Sequence, residues 1–132
     1  MIKALPINDR ASSRKGWGDL PHVLLIVDQL NRTLGGGERI ALKLADRLPD
    51  YGFAASVLTF FAHPESPAVE LTKAPIYLLS LKRTYGWSAL RAAFDLRLFL
   101  GRQRVHIVHT FFESADIWGG FVTKVLSNAK LV

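Results

Sequence analysis

Three features of this sequence predict an α/β domain built as a Rossmann-like, doubly wound parallel sheet. Residues 23–27 (VLLIV) form an unbroken apolar run, as expected of a strand buried on both faces of a parallel sheet. Runs of this kind recur and alternate with segments of helical period, which implies right-handed crossovers and helices on both faces. Three consecutive glycines, Gly35, Gly36 and Gly37, stand between the first run and the first helical segment. A strand, a glycine turn and a helix start together present backbone N–H groups and the positive end of a helix dipole to an anion.

The elements follow in order. After the first strand, residues 28–34 read as a polar loop. Ile40, Ala41, Leu44, Ala45 and Leu48 then recur at helical spacing until Pro49 stops the helix. Tyr51 and Gly52 make a break, and residues 53–61, rich in β-branched and aromatic side chains, read as the second strand. The segment His63-Pro64-Glu65-Ser66-Pro67 ends it, residues 69–73 allow one helical turn, and residues 76–81 form a third strand after Pro75. Residues 87–104 read as a helix with Trp87, Leu90, Phe94 and Leu98 on one face. Leu96, Phe99 and Leu100 make its far side apolar as well, so it packs on two things or lies at a surface other than water. Residues 105–109 are the fourth strand. After the loop 110–114 comes a helix with Ala115, Trp118, Gly119 and Val122 on one face, capped by Asn128, and residues 129–132 begin a fifth strand.

Residues 1–20 are polar and charged, without the apolar stretch of a signal peptide, and are expected to be a flexible leader. The domain then occupies residues 21–132 and is expected to be incomplete, because the sequence stops within an apolar strand. An apolar content of 49% in 132 residues is that of a globular chain. The lack of cysteine excludes a disulfide framework and a thiolate metal site or nucleophile, and fits the cytoplasm. No run approaches the ~18 apolar residues that a spanning helix requires.

Net charge is +6, and its distribution says more than its total. Lys82, Arg83, Arg91, Arg97, Arg102 and Arg104 stand against the single acid Asp95 within one segment. Such a segment meets nucleic acid, anionic lipid or an acidic substrate, or is a solvated face. No aromatic-interleaved basic groove accompanies it, so no nucleic-acid partner is expected. On a helix, Arg91 and Arg102 fall on one flank of the apolar face and Arg97 and Arg104 on the other, which suits an anionic membrane surface.

Chemistry is expected at the carboxyl ends of the strands. The glycines are either a phosphate cradle, using positive φ and close backbone approach, or a flexible connection. Two sharper readings fail on spacing. A dinucleotide fingerprint wants glycine directly after the strand and again where the helix packs, but seven residues separate Val27 from Gly35 and the packing position is Ile40. A P-loop wants Gly-Lys-Ser/Thr where this chain has Gly37-Glu38-Arg39. His109 and Glu113 flank the end of the fourth strand and are the candidate base and orienting partner. The alternative makes His109 a core histidine and Glu113 a solvated charge. His106 points away from His109 by strand alternation, and His22 and His63 stand isolated, so no metal site is expected. No serine lies in a nucleophile elbow.

The run LGGGERIALKLADRL, followed much later by VHIVHTFFESADIWGGFVTKVLSNAKLV, resembles the N-terminal, acceptor-binding domain of family-4 glycosyltransferases of the GT-B fold. That family typically opens its first helix with Gly-Gly-x-Glu, which Gly36, Gly37 and Glu38 approach, aligned from Gly35 or one residue slipped. Its later motif, hydrophobic residues before His-Thr and then Ala and Gly on the next helix, is similar to His109, Thr110, Ala115, Asp116 and Gly119. The resemblance implies sugar transfer from a nucleotide sugar to a glycan or lipid-linked acceptor, without a further cofactor, in cell-envelope or exopolysaccharide assembly. It also implies a cytoplasmic protein, peripheral at the inner face of the membrane, with Gly35, Gly36, Gly37 and Phe111 facing the diphosphate or acceptor. Many relatives carry a second histidine where this chain has Phe111, leaving Glu113 as the nearest polar substitute. The family's donor-binding half, with its paired glutamates, is missing from these residues, so the chain alone is expected to be inactive. The alternatives are a non-catalytic Rossmann-like binding module and a fragment of another GT-B enzyme, such as a sugar-nucleotide epimerase.

Overall fold

The computed structural model describes residues 2–4, 20–80, 86–111, 124 and 129–132. Six strands, β1 (Ile2–Ala4), β2 (His22–Val27), β3 (Ala54–Thr59), β4 (Ile76–Leu79), β5 (Val105–Phe111) and β6 (Lys130–Leu131), form one sheet in the order β1-β4-β3-β2-β5-β6. Strands β2 to β6 pair in parallel and β1 runs antiparallel to β4. In chain order the five parallel strands lie 3-2-1-4-5. The winding therefore reverses between β2 and β5, which makes the crevice at their carboxyl ends the switch point of the sheet.

Both faces are covered, as the continuous apolar strands require. Val23, Leu25 and Val27 of β2 face a core made with Ala41, Leu42 and Ala45 of α1 (Gly36–Arg47). Leu24 and Ile26 face the opposite core, with Leu96, Phe99 and Leu100 of α3 (Trp87–Arg102). A one-turn α2 (Ala68–Leu71) packs on the α1 side through Ala68. The packing face of α1 is centred between Ala41 and Leu42, which turns Ile40 out to solvent and leaves Leu44 and Leu48 half-buried at its margin.

Several boundaries differ from the expected ones for physical reasons. Ile2–Ala4, inside the expected leader, pair as an edge strand with Tyr77–Leu79 of β4, and Ile2 packs on the α3-side core. Three residues whose strand partners lie more than seventy positions away leave no periodic trace. Strand β5 continues through Thr110 and Phe111, residues with strong β preference, so what reads as a loop extends the ladder. Pro49 does not end the chain's helical path: it sits in the first turn of a 3-10 segment (Leu48–Tyr51) closed by Gly52 at φ 86°. Gly52 and Gly86 (φ 89°) are the described glycines whose φ is positive. The expected helix with Ala115, Trp118 and Gly119, capped by Asn128, lies outside the described residues.

At the amino edge of the sheet, His22 is a junction and not an isolated side chain. Its buried ring donates from Nδ1 to the Gln103 carbonyl (2.9 Å), which leaves Nε2 to accept from Ser56 Oγ at 2.7 Å. Its backbone N–H donates to His106 Nδ1 (3.0 Å), just where the β2–β5 register slips by one residue. That slip puts Val105 and Val108 on the same face and breaks the simple alternation expected between His106 and His109. Ser56→Ala should destabilise the protein by about 1–2 kcal/mol, because a buried ring nitrogen loses this partner; a lower urea midpoint at unchanged m-value is the expected reading.

Candidate functional site at the switch point

The carboxyl ends of β2 and β5 lie side by side, with Val27 opposite Phe111 and Leu25 opposite His109. His109 and Phe111 are two apart on the strand and share the face that α1 covers, where Phe111 packs against the α1-side core. Their rings stack with centroids 4.5 Å apart and planes 19° from parallel. Both remain half-buried, so the pair is ordered by packing while keeping access to solvent. The phenyl ring at position 111 thus lies nearly flat against the imidazole of His109. Thr110, between them, faces the other side.

The segment after β2 is firmer than a polar loop. Leu30 is fully buried and Leu34 nearly so. Leu30 N–H donates to the Phe61 carbonyl and His63 N–H to the Leu30 carbonyl, both at 2.8 Å, so the segments leaving β2 and β3 continue the parallel ladder beyond the sheet. Arg39 Nε holds the Leu34 carbonyl at 3.3 Å, and an exposed Arg32–Glu65 ion pair spans the two segments. The exposed pair adds little energy; the two buried leucines fix the path.

That path delivers Gly35 as the N-cap of α1, with Gly36 and Gly37 as its first helical residues. The first bond of the helix runs from Arg39 N–H to the Gly35 carbonyl, so the N–H groups of Gly36, Gly37 and Glu38 lie ahead of the ladder. Gly35 has φ −75° and the other two are helical, so positive φ is not what these positions require. What Gly36 provides is space: a Cβ built on it would meet nothing within 4 Å. A Cβ on Gly35 would lie 2.6 Å from Glu38 Oε2, the end of a side chain folded back over the amino end of α1. In sequence Glu38 is a mismatch to a P-loop and a near match to the Gly-Gly-x-Glu opening of the family it resembles. The Gly35-x-x-Glu38 spacing is that of a capping box with glycine in the N-cap place, and it is the signal that would have identified this carboxylate.

Of the expected site residues, the structure brings His109, Phe111 and the amino end of α1 onto one face at the switch point. Glu113 lies outside the described residues. Among the described residues, no three histidine, aspartate or glutamate side chains gather as a metal site would require.

The chain was compared with known families and structures. A family model described as Glycosyltransferase Family 4 matches residues 34–132. No curated protein matches the sequence at a significant level. Among solved structures, MurG of Acinetobacter baumannii superposes with a TM-score of 0.62 at 22% identity, over 84% of this chain and 33% of that one. A glycosyltransferase from Rickettsia africae ESF-5 superposes with a TM-score of 0.67 at 19% identity, over 84% of this chain and 28% of that one. The chain thus spans about a third of the length of these structures, and at such identities the likeness is one of fold.

Proposed function

Because the chain belongs to glycosyltransferase family 4, we propose that it supplies the acceptor-binding half of an enzyme that moves a sugar from a nucleotide sugar to a glycan or lipid-linked acceptor. In this reading the N–H groups at the start of α1 face the donor diphosphate across a cleft closed by the rest of the enzyme. His109 accepts the proton of the attacking acceptor hydroxyl as nucleoside diphosphate departs, and Glu113 orients it. Phe111 fixes the ring plane of His109 and offers the sugar an apolar wall.

One observation carries the proposal: at the switch point the amino end of α1, open at Gly36, and a stacked, half-buried imidazole share one face and edge of the sheet. The protein in its natural full length should release nucleoside diphosphate from a nucleotide sugar in an acceptor-dependent manner. His109→Gln should lower that rate by about 100-fold or more, the range of a lost general base, with KM for the donor little changed. Absence of release from every common uridine, guanosine or adenosine diphosphate sugar would overturn the reading, as would full activity in His109→Gln.

A further inference from the structure

Phe61 stands just past the carboxyl end of β3 with 48% of its surface exposed, on a backbone fixed from two sides. Thr59, itself fully buried, donates from Oγ to the Phe61 carbonyl at 2.9 Å, and Leu30 N–H donates to the same carbonyl at 2.8 Å. The Phe61 N–H returns a longer bond to Thr59 Oγ (3.4 Å). A single apolar side chain at a protein surface is ordinary. This one is set apart by its place and its neighbours: the fold anchors the backbone, leaves the ring open, and sets it at the edge of the sheet that carries the switch point.

The polar groups near it in the chain are of the kinds that hold sugar hydroxyls. Two residues on, half-buried His63 accepts the Glu65 N–H at Nδ1 (3.0 Å), so the neutral ring carries its proton on Nε2 as a donor. Glu65 pairs with Arg32 of the segment leaving β2, and both side chains are exposed. That pair offers carboxylate acceptors and guanidinium donors while cancelling their charge. Topology sets the distance to the histidine at the end of β5. Strands β3 and β5 flank β2, so Phe61 lies about 10 Å across the sheet from β5 and, two residues beyond Thr59, roughly 7 Å further along than Phe111.

We infer that Phe61, His63, Glu65 and Arg32 form a second sugar subsite for a neutral unit next to the one that receives the transferred sugar. The acceptor is then a glycan of at least two units. This inference rests on the acceptor-binding reading above and narrows its substrate class. The phenyl ring covers the C–H face of the sugar, and its hydroxyls bond to His63 Nε2–H, the carboxylate and the guanidinium. A compensated ion pair suits an uncharged unit, because an anionic one would compete with Glu65 for Arg32 and meet a like charge. A single sugar ring seated at His109 does not span the gap to Phe61, whereas its neighbour in a chain does.

The test uses the protein in its natural full length, without nucleotide sugar, in saturation-transfer NMR titrations with maltose, cellobiose, lactose and N,N′-diacetylchitobiose, each against the methyl glycosides of its component sugars. At least one disaccharide should bind about tenfold more tightly than its components. Phe61→Ala should abolish that advantage and leave monosaccharide affinity unchanged, and Phe61→Tyr should keep it. The bonds that anchor position 61 are made by its backbone, so Phe61→Ala should unfold at nearly the same temperature. No binding of any disaccharide, equal affinity for disaccharides and monosaccharides, an advantage that survives Phe61→Ala, or a preference for a uronic-acid disaccharide would each overturn the inference. Sugar transfer is scored separately. Acceptor-dependent release of nucleoside diphosphate with no disaccharide advantage would leave the transferase reading intact and remove the second subsite. Disaccharide binding governed by Phe61 in a protein that releases none would keep the sugar site and overturn its reading as part of an acceptor site.

Discussion

Gly36→Val in the natural full-length protein is expected to lower sugar transfer by about 100-fold while shifting the unfolding temperature by no more than about 2 °C. The two halves of that expectation have separate physical origins. A side chain at position 36 meets nothing within 4 Å, and the backbone there is helical, so neither clash nor φ strain opposes it. Valine is no worse than glycine as a helix residue, so the stability change is small. The same side chain occupies the space through which a diphosphate would reach the N–H groups ahead of the helix ladder. Unfolding and kinetics measured on one preparation decide between roles: equal loss of both would make the glycine structural, and loss of neither would remove α1 from the site.

A second large effect separates the two sides of α3. Leu96→Ala should cost about 2–5 kcal/mol, whereas Leu98→Ala, two residues on, should cost less than about 0.5 kcal/mol. Leu96 is fully buried between Phe99, Leu100 and the strand side chains of the α3-side core, and its loss leaves a cavity in a packed interior. Leu98 points outward and is 40% exposed. Urea midpoints of the two variants would show it directly; comparable losses would mean that α3 is covered on both sides.

The parallel core was legible because burial on two faces writes a continuous apolar run, and VLLIV and IYLL cannot be amphipathic strands. The outward stripe of α3 was legible for the same reason in helical form: period 3.6 places Trp87, Leu90, Phe94 and Leu98 together whatever the helix packs against. What stayed hidden depends on distant partners. The strand at Ile2–Ala4 exists by virtue of β4, and the register slip at His106 by virtue of a backbone donor from His22. At the site, the glycine turn and His109 were visible as residue types, but their roles were not. Glycine signals freedom, and only coordinates distinguish positive φ, which Gly52 and Gly86 use, from open space, which Gly36 uses. Likewise Phe111 reads as a missing histidine until the ring stack gives it a task.

The antiparallel edge strand has a consequence for solubility. Without Ile2–Ala4, the strand Ile76–Leu79 would present an unpaired row of N–H and C=O groups on an uncharged segment rich in isoleucine, leucine and tyrosine, the kind that templates cross-β growth between molecules. Three residues suffice to occupy that template, and a strand so short offers little template of its own. Residues 2–4 thus guard an edge that is made some seventy residues later in the chain, and β4 stays sticky until they fold back onto it.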